Sequence, residues 1–285
     1  MGFRINTNVD ALNAYYALDK VNKETTKSQL RLASGKRINN VADDTSGFNI
    51  GKSLEGRLAV MKGALNNVSA AKDLLNTAEG SLLAANDLLI KIQGKLSDAT
   101  NPTASRSDLA KDINALANEI NATLSNTKFN NTKLLSGTGD TETGFVFQVG
   151  ADFTDKLTLN FAAGLTTGTS STAFATSLNQ MVSAAEGNLT NSNSLTSLTD
   201  HLATLQNAIK DALGLVGNFT QRLDIKEQTL NISVANAQSS YSRIFDADMA
   251  MEQLNATRGT IIGQAATAMV AQLNSAPQQV LSLFN

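Results

Sequence analysis

Cysteine and tryptophan are both absent from this sequence of 285 residues. Without cysteine the chain can form no disulfide, no thiolate zinc site and no cysteine nucleophile. His201 is the one histidine, which excludes any metal site with two histidine ligands. No nucleophile or orienting group accompanies it in the sequence, so it is not assigned a catalytic role. Two prolines and 5% aromatic residues favour long helices packed through small side chains over a compact enzyme core.

The sequence has no large excess of either basic or acidic residues, and it has no long apolar run. The 23 basic and 25 acidic residues leave a net charge of −2, which gives no general electrostatic reason to expect nucleic-acid binding. No apolar run reaches the roughly 18 residues of a membrane-spanning helix, so no membrane span is expected. Charged residues between Arg4 and Lys27 interrupt the N-terminal segment, and a cleaved secretory signal is therefore not expected.

Helical periodicity is what the sequence does contain. Small and apolar residues at alternating steps of three and four predict an N-terminal helix with a coiled-coil seam, and Ser34-Gly35 predicts its end. The seam residues are Ala11, Ala14, Leu18, Val21, Thr25, Ser28 and Leu32. The uncharged stretch 259–285 predicts a C-terminal helix that is buried or faces another subunit.

Three further helices are predicted between these ends. A stripe from Leu54 to Leu96 predicts a long helix that stops at Asn101-Pro102, and steps of three around Val68 predict that the stripe drifts around it. Ser105 offers an N-cap for the next helix. The apolar face of that helix comprises Leu109, Ile113, Leu116, Ile120 and Leu124. Leu195 to Ile244 predicts another long helix, whose seam meets a charge at Lys226 or Glu227.

The period changes from about 3.6 to 2 over residues 145–161, which predicts a β-hairpin with one apolar face. A polar loop is expected over 162–173, a short helix over Phe174–Glu186, and another loop over Asn188–Ser194.

These elements predict a mainly α fold, an elongated helical rod or coiled-coil bundle with a small β-hairpin. Residues 1–40 carry a net charge of +4 and residues 244–285 a net charge of −2, so the two ends should lie side by side. The predicted domains are 1–40 plus 246–285, a terminal coiled coil, and 41–245, a helical rod. The rod includes a short variable surface region at 162–193.

No catalytic, metal or cofactor site is predicted. Asp43-Asp44 and Asp246-Ala247-Asp248 have carboxylate pairs, which we interpret as helix caps or interface charges. The glycines between Gly47 and Gly56 lack the upstream glycine that a phosphate-binding loop needs. A structural role in an assembly is the favoured class.

Six blocks in order resemble the bacterial flagellin family over nearly the whole chain. They are Ile5-Asn6-Thr7-Asn8 with Ala11 to Ala14, Leu32 to Asn39 with Asp43-Asp44 and Gly47, Ala78 to Leu82, Phe147 to Ala151, Ser242 to Ala250, and Ala276 to Leu283. Phe245 stands where the family usually has Glu, and Tyr15-Tyr16 replace a polar pair. Both departures are expected to alter surface chemistry.

The resemblance implies a subunit of the extracellular flagellar filament, exported unfolded by the flagellar type III apparatus. Implied partners are further copies of the chain, an export chaperone at the C-terminal segment, the filament cap and hook-associated proteins; no nucleic acid and no membrane is implied. Assembly residues expected in the filament core are Ala11, Ala14, Leu18, Val21, Leu32, Leu254, Ile261, Ala265, Val280, Leu281 and Leu283.

Family members that activate an innate-immune flagellin receptor share the block LQRxRELxxQ and a glutamate on the neighbouring helix. The matching residues here are Lys91, Gln93, Gly94 and Lys95, with Glu119 as the acid. Lys lacks the planar fork of Arg, and the second Arg and the Glu of the block are missing, so weak receptor activation is expected.

Two alternatives to a filament subunit stay open at this point. One is a hook–filament junction protein, which shares the terminal architecture. The other is a secreted flagellin-like enzyme or adhesin, which the short central region disfavours.

Overall fold

The computed structural model describes residues 8–101, 103–135, 144–160, 180, 183 and 192–282. Five helices dominate this described part of the chain, together with two short antiparallel strand pairs. The helices are α1 (Val9–Ser34), α2 (Thr45–Ala99), α3 (Arg106–Asn126), α4 (Ser192–Phe245) and α5 (Met249–Ser282). The strands are β1 (Lys128–Phe129), β2 (Thr132–Lys133), β3 (Phe145–Gln148) and β4 (Lys156–Leu159). The predicted mainly α fold, with a small hairpin and paired terminal helices, is confirmed.

The predicted surface region 162–193 lies almost wholly outside the described residues, as do the loop and most of the short helix assigned to it. Ser192–Ser194 form the first turn of α4, so the loop predicted there is wrong. The spacing of apolar residues predicts only those turns of a helix that bury a face. The first turn of α4 is polar, so this spacing could not predict it.

The chain divides into two compact units. The first comprises Met1–Leu58 with Ala235–Asn285, and the second comprises Ala59–Val234. The helices α2 and α4 each contribute residues to both. The boundaries predicted at residues 40 and 246 stay a prediction.

The core of the second unit consists of apolar rows on its three helices. Residues with at most 2% of their surface exposed recur every seven positions, as they do in a helix bundle. They include Leu75, Leu82 and Leu89 on α2, Ile113 and Ile120 on α3, and Leu198 and Leu205 on α4. Each such side chain stabilises the fold by about 1.5–3 kcal/mol.

The buried row on α2 departs from the regular heptad spacing, as predicted, but it does so earlier in the helix than the sequence indicated. Ala64 is 1% exposed and Leu65 is only half-buried, so the consecutive steps of three fall at Leu58, Met61 and Ala64. The smaller residue, Ala64, is buried against the neighbouring helices in place of Leu65. The spacing of apolar residues alone does not predict this.

The strands β3 and β4 form the predicted hairpin, with Phe145 opposite Leu159 and Gln148 opposite Lys156. Leu157 and Leu159 are buried, and the side-chain amide of Asn67 donates to the Gln148 carbonyl at 3.2 Å. This hydrogen bond ties the hairpin to α2.

The strands β1 and β2 form a second hairpin, which the sequence periodicity did not predict. Its turn residues Asn130 and Asn131 have φ of 46° and 65°. Asparagine tolerates this left-handed region, and the Asn-Asn pair was the signal that could have predicted a two-residue turn.

A charged cluster interrupts the apolar rows where α2 passes α4. The Lys72 ammonium lies 2.5 Å from the Asp224 carboxylate and also pairs with Glu227. Glu227 is thus the charge that the sequence placed on the α4 seam. Asp224, and then Glu227, raise the pKa of Lys72 above its ordinary value.

Replacing Lys72 with methionine should lower the free energy of unfolding at pH 7 by about 1 kcal/mol, because partly exposed ion pairs contribute little. A group whose pKa is higher in the folded chain than in the unfolded chain stabilises the fold at pH values below its unfolded-state pKa. This stabilisation is lost as the pH rises through the folded-state pKa. The difference between the original chain and the variant should therefore shrink above the ordinary lysine pKa. Urea unfolding from pH 7 to 11 measures this; a difference that is constant over that range would contradict it.

Candidate assembly interface

The helix α1 begins and ends with local hydrogen bonds. The Asn8 side chain accepts from the Ala11 N–H at 3.0 Å, which caps the N terminus. At the other end Gly35 adopts a left-handed conformation with φ of 68°, and its N–H donates to the Arg31 carbonyl at 2.8 Å. The end predicted at Ser34-Gly35 is confirmed, and glycine is favoured there because it has no Cβ.

The helices α1 and α5 pack side by side and antiparallel. The Asn8 amide donates to the Leu273 carbonyl at 3.0 Å, and at the opposite end Arg31 Nη1 lies 3.0 Å from Glu252 Oε1. Between them Gly259 is so close to Thr25 that an added Cβ would lie 2.1 Å from the Thr25 hydroxyl. The close approach explains why small residues form this seam.

Each helix contributes residues at alternating steps of three and four. The seven predicted α1 seam residues are all half-buried or buried. The matching α5 residues are Glu252, Ala256, Gly259, Gly263, Ala266, Val270 and Leu273. Charge enters this seam only at one end, where Glu252 is 7% exposed and pairs with Arg31.

Three of the four carboxylates interpreted as caps or interface charges have those roles, whereas Asp246 accepts from the Ser242 hydroxyl at 2.5 Å. Asp44 accepts from the Gly47 N–H at 2.8 Å at the start of α2, and Asp248 accepts from the Ala250 N–H at 3.0 Å at the start of α5. Asp43 pairs with Lys27 at 2.8 Å, and this contact holds the pKa of Asp43 below its ordinary value. Within the described ranges, no group of three or more potential metal ligands occurs.

Phe245 does not alter the surface, contrary to the expectation. It is 3% exposed and stacks on Tyr241 with ring centroids 4.8 Å apart. Gly51 makes the space, since a Cβ there would lie 1.9 Å from the Phe245 ring. A third ring, that of Phe48, lies 6.1 Å away. An aromatic side chain fits at this position of α4 because the residue facing it on α2, Gly51, has no Cβ.

The first unit is unusual in how much apolar surface it exposes. Of the 19 large apolar side chains that are exposed in the described chain, 13 belong to this unit, which is the smaller of the two. Those on α5 are Met249, Met251, Leu254, Ile261, Ile262 and Met269. Concentrated exposure of this kind is typical of surfaces that bind other proteins.

The structure separates the predicted assembly residues into two groups. Ala11, Ala14, Leu18, Val21 and Leu32 lie on the seam between α1 and α5, within one chain. Leu254, Ile261 and Ala265 are exposed, with 62% and 61% exposure for the first two. Val280 and Leu281 belong to α5 but their side chains, like all of Leu283, lie outside what the structure describes. Their part in assembly stays a prediction.

The residues matching the receptor block lie in the second unit. Lys91, Gln93 and Gly94 are exposed on α2, and Glu119 is exposed on α3. Two side chains of the block are engaged within the chain: Lys95 lies 2.7 Å from Asp112, and Gln93 accepts from the Gln206 amide at 3.0 Å.

Comparison with known proteins assigns the family. The Bacterial flagellin N-terminal helical region matches residues 5–140, and the Bacterial flagellin C-terminal helical region matches residues 196–284. The flagellin of Bacillus subtilis is 31% identical, with 99% of each chain covered. The chain belongs to the bacterial flagellin family. As such it is a structural subunit of the flagellar filament and not an enzyme.

Further relatives agree. The flagellin of Halalkalibacterium halodurans is 31% identical over 98% of this chain and 99% of its own length. The flagellar filament 33 kDa core protein of Treponema phagedenis is 28% identical over the same shares. A putative flagellar hook-associated protein from Vibrio parahaemolyticus aligns with a TM-score of 0.47 at 13% identity, over 72% of this chain and 97% of that one. That likeness is too weak to carry an argument. None of the described helices is long and apolar enough to span a membrane.

Proposed function

We propose that the chain polymerises through its paired terminal helices α1 and α5. The exposed apolar side chains of the first unit are the observation that carries the proposal, because they would be shielded from water only in a polymer. The seam inside each chain is narrow and consists mostly of small residues, so packing against further copies would supply much of the stability of this unit.

Export as an unfolded chain is part of the same proposal. An exposed, apolar terminal unit would associate prematurely inside the cell, and coupling its folding to assembly prevents that. The absence of cysteine means that no disulfide could trap a folded form before export. The destination is the extracellular filament, with an export chaperone at the C-terminal segment and the filament cap and hook-associated proteins as partners.

Seeded growth tests the proposal. Purified monomer is added to short filament fragments, and growth is followed by sedimentation and negative-stain electron microscopy. A filament subunit extends the seeds indefinitely, whereas a hook–filament junction protein stops after a limited number of copies. Failure to extend, or extension that stops at a fixed short length, would overturn the proposal.

We also propose that the monomer activates the innate flagellin receptor weakly. Lys91 retains one positive charge, but Gln93 and Gly94 replace the arginine and glutamate of the block, and Lys95 is held by Asp112. Loss of an arginine anchor from an interface commonly costs about 2 kcal/mol or more, roughly a thirtyfold loss of affinity.

Restoring the block should strengthen activation at least about tenfold in a receptor reporter assay. The change is Gln93→Arg, Gly94→Glu and Lys95→Leu in one chain. A side chain at Gly94 meets no atom within 4 Å of its Cβ, so the fold should accept it. Gly80→Glu, equally open on the same helix, is the matched control. A half-maximal response of the original chain equal to that of a flagellin with the intact block would contradict the proposal.

A further inference from the structure

An apolar groove runs along one side of the paired helices α1 and α5. Its volume is about 270 Å³, and nearly all of its lining is apolar. It is lined by Ala14, Ala17, Ile261, Ile262, Ala265, Ala266 and Met269. Although they line it, Ile261 and Met269 remain 61% and 59% exposed, so none of the residues that the structure describes covers this groove.

An exposed aromatic side chain lies on the opposite side of α1. Successive residues of a helix are rotated by about 100°, so Tyr15 lies about 100° from Ala14 in one direction and Ala17 about 60° in the other. Ala14 faces α5, which places Ala17 and the groove on one flank of the pair and Tyr15 on the other. Tyr15 is 59% exposed and does not line the groove of its own chain.

We propose that Tyr15 of one subunit inserts into the groove between α1 and α5 of a second copy of this chain. The inference rests on the proposed polymerisation and names a contact that would drive it. A projection on one flank and a recess on the other make the contact heterologous, the type that yields open helical polymers instead of closed dimers. The occupant is a second copy because the chain is a filament subunit, whose neighbours in the filament are further copies of itself.

Tyrosine fits the chemistry of this groove. Residues 259–282 of α5 carry no charge, so an entering ring leaves no buried charge unpaired. Tyrosine offers a large apolar ring at little conformational cost, and its hydroxyl can remain at the wet rim of the groove. Buried aromatic anchors of this kind carry a large share of the affinity in protein interfaces.

The critical concentration for seeded growth is the first test. Tyr15→Ala should raise it about tenfold or more, and Tyr15→Phe, which keeps the ring, by less than about threefold. Tyr16→Ala is the comparison variant. The Tyr16 ring is 62% exposed and lies edge-on to the Tyr15 ring, with centroids 6.5 Å apart, but Tyr16 itself is about another 100° around the helix, so its loss should have the smaller effect. Equal effects of Tyr15→Ala and Tyr16→Ala would overturn the inference.

Cross-linking is the second test, and the absence of native cysteine makes it unambiguous. Filaments are grown from a mixture of two singly substituted chains, Tyr15→Cys and Ala265→Cys, and then oxidised. A disulfide requires Cβ atoms about 3.5–4.5 Å apart, so the mixture should give dimers on a denaturing gel. Each variant alone should give none, and a mixture of Tyr16→Cys with Ala265→Cys should give far fewer.

Each outcome bears on the inference. Exclusion of Tyr15→Cys from filaments that accept Tyr16→Cys supports it, as does selective cross-linking. Cross-linking of Tyr15→Cys to itself, or equal yields with Tyr16→Cys, would overturn it. If the unsubstituted chain grows filaments while both tests fail, only the Tyr15 contact is wrong; if the unsubstituted chain grows none, polymerisation itself is wrong.

Discussion

Deletion of residues 1–38, or of residues 248–285, should abolish filament growth while the second unit stays folded. Either deletion removes one of the helices α1 and α5 and exposes the seam of the other, so neither the seam nor the groove between them can form. The core of the second unit lies within Ala59–Val234 and contains no residue from the deleted segments.

Sedimentation after seeding measures growth, and circular dichroism during heating measures folding. The helical signal should fall roughly in proportion to the residues removed, with one cooperative transition retained for the second unit. Filaments grown from either truncated chain would contradict the prediction. The Lys72→Met variant, whose change lies in the second unit, is the control that should still assemble.

Closing the space at Gly51 should destabilise the first unit strongly. An alanine Cβ there would lie 1.9 Å from the Phe245 ring, far inside van der Waals contact, so the ring must move. Overpacking of this kind costs about 1–3 kcal/mol. Phe245→Ala should cost about 3–5 kcal/mol, because it removes a ring that is 3% exposed and stacked on Tyr241.

The two changes should be coupled, which a double-mutant cycle can measure. With Phe245 already alanine, the Gly51→Ala change meets no ring and should cost little or even stabilise α2. Gly56→Ala is the matched control on the same helix, since a Cβ at Gly56 meets open space and alanine favours the helix by about 0.5–1 kcal/mol. Hydrogen exchange of residues 45–58 and urea unfolding provide the free energies. Additive costs would show that Gly51 and Phe245 do not share one packing site.

The long helices were predictable because their information is local and repeated. Alternating steps of three and four marked the seam of α1 and the rows of α2, α3 and α4, and each row spans several turns. The periodicity did not decide which residue is buried at every single position. Ala64 and Leu65 are equally compatible with a helix, and the packing of the neighbouring helices determines that Ala64 is the buried one. The β1–β2 hairpin was missed because its strands have two residues each, too short for any periodic pattern.

Sequence by itself determined the helical class, the seam of α1, its end at Gly35 and the family. These depend on spacing, capping and ordered blocks, all of which are read along the chain. Tertiary structure alone decided that Phe245 is buried against Gly51, that the seam of α1 faces α5 while Ile261 is exposed, and that a groove opens on the side of the pair opposite Tyr15. Those facts depend on which residues distant in sequence lie side by side. The space that a glycine leaves on one helix can be matched to a large side chain only when the facing helix is known.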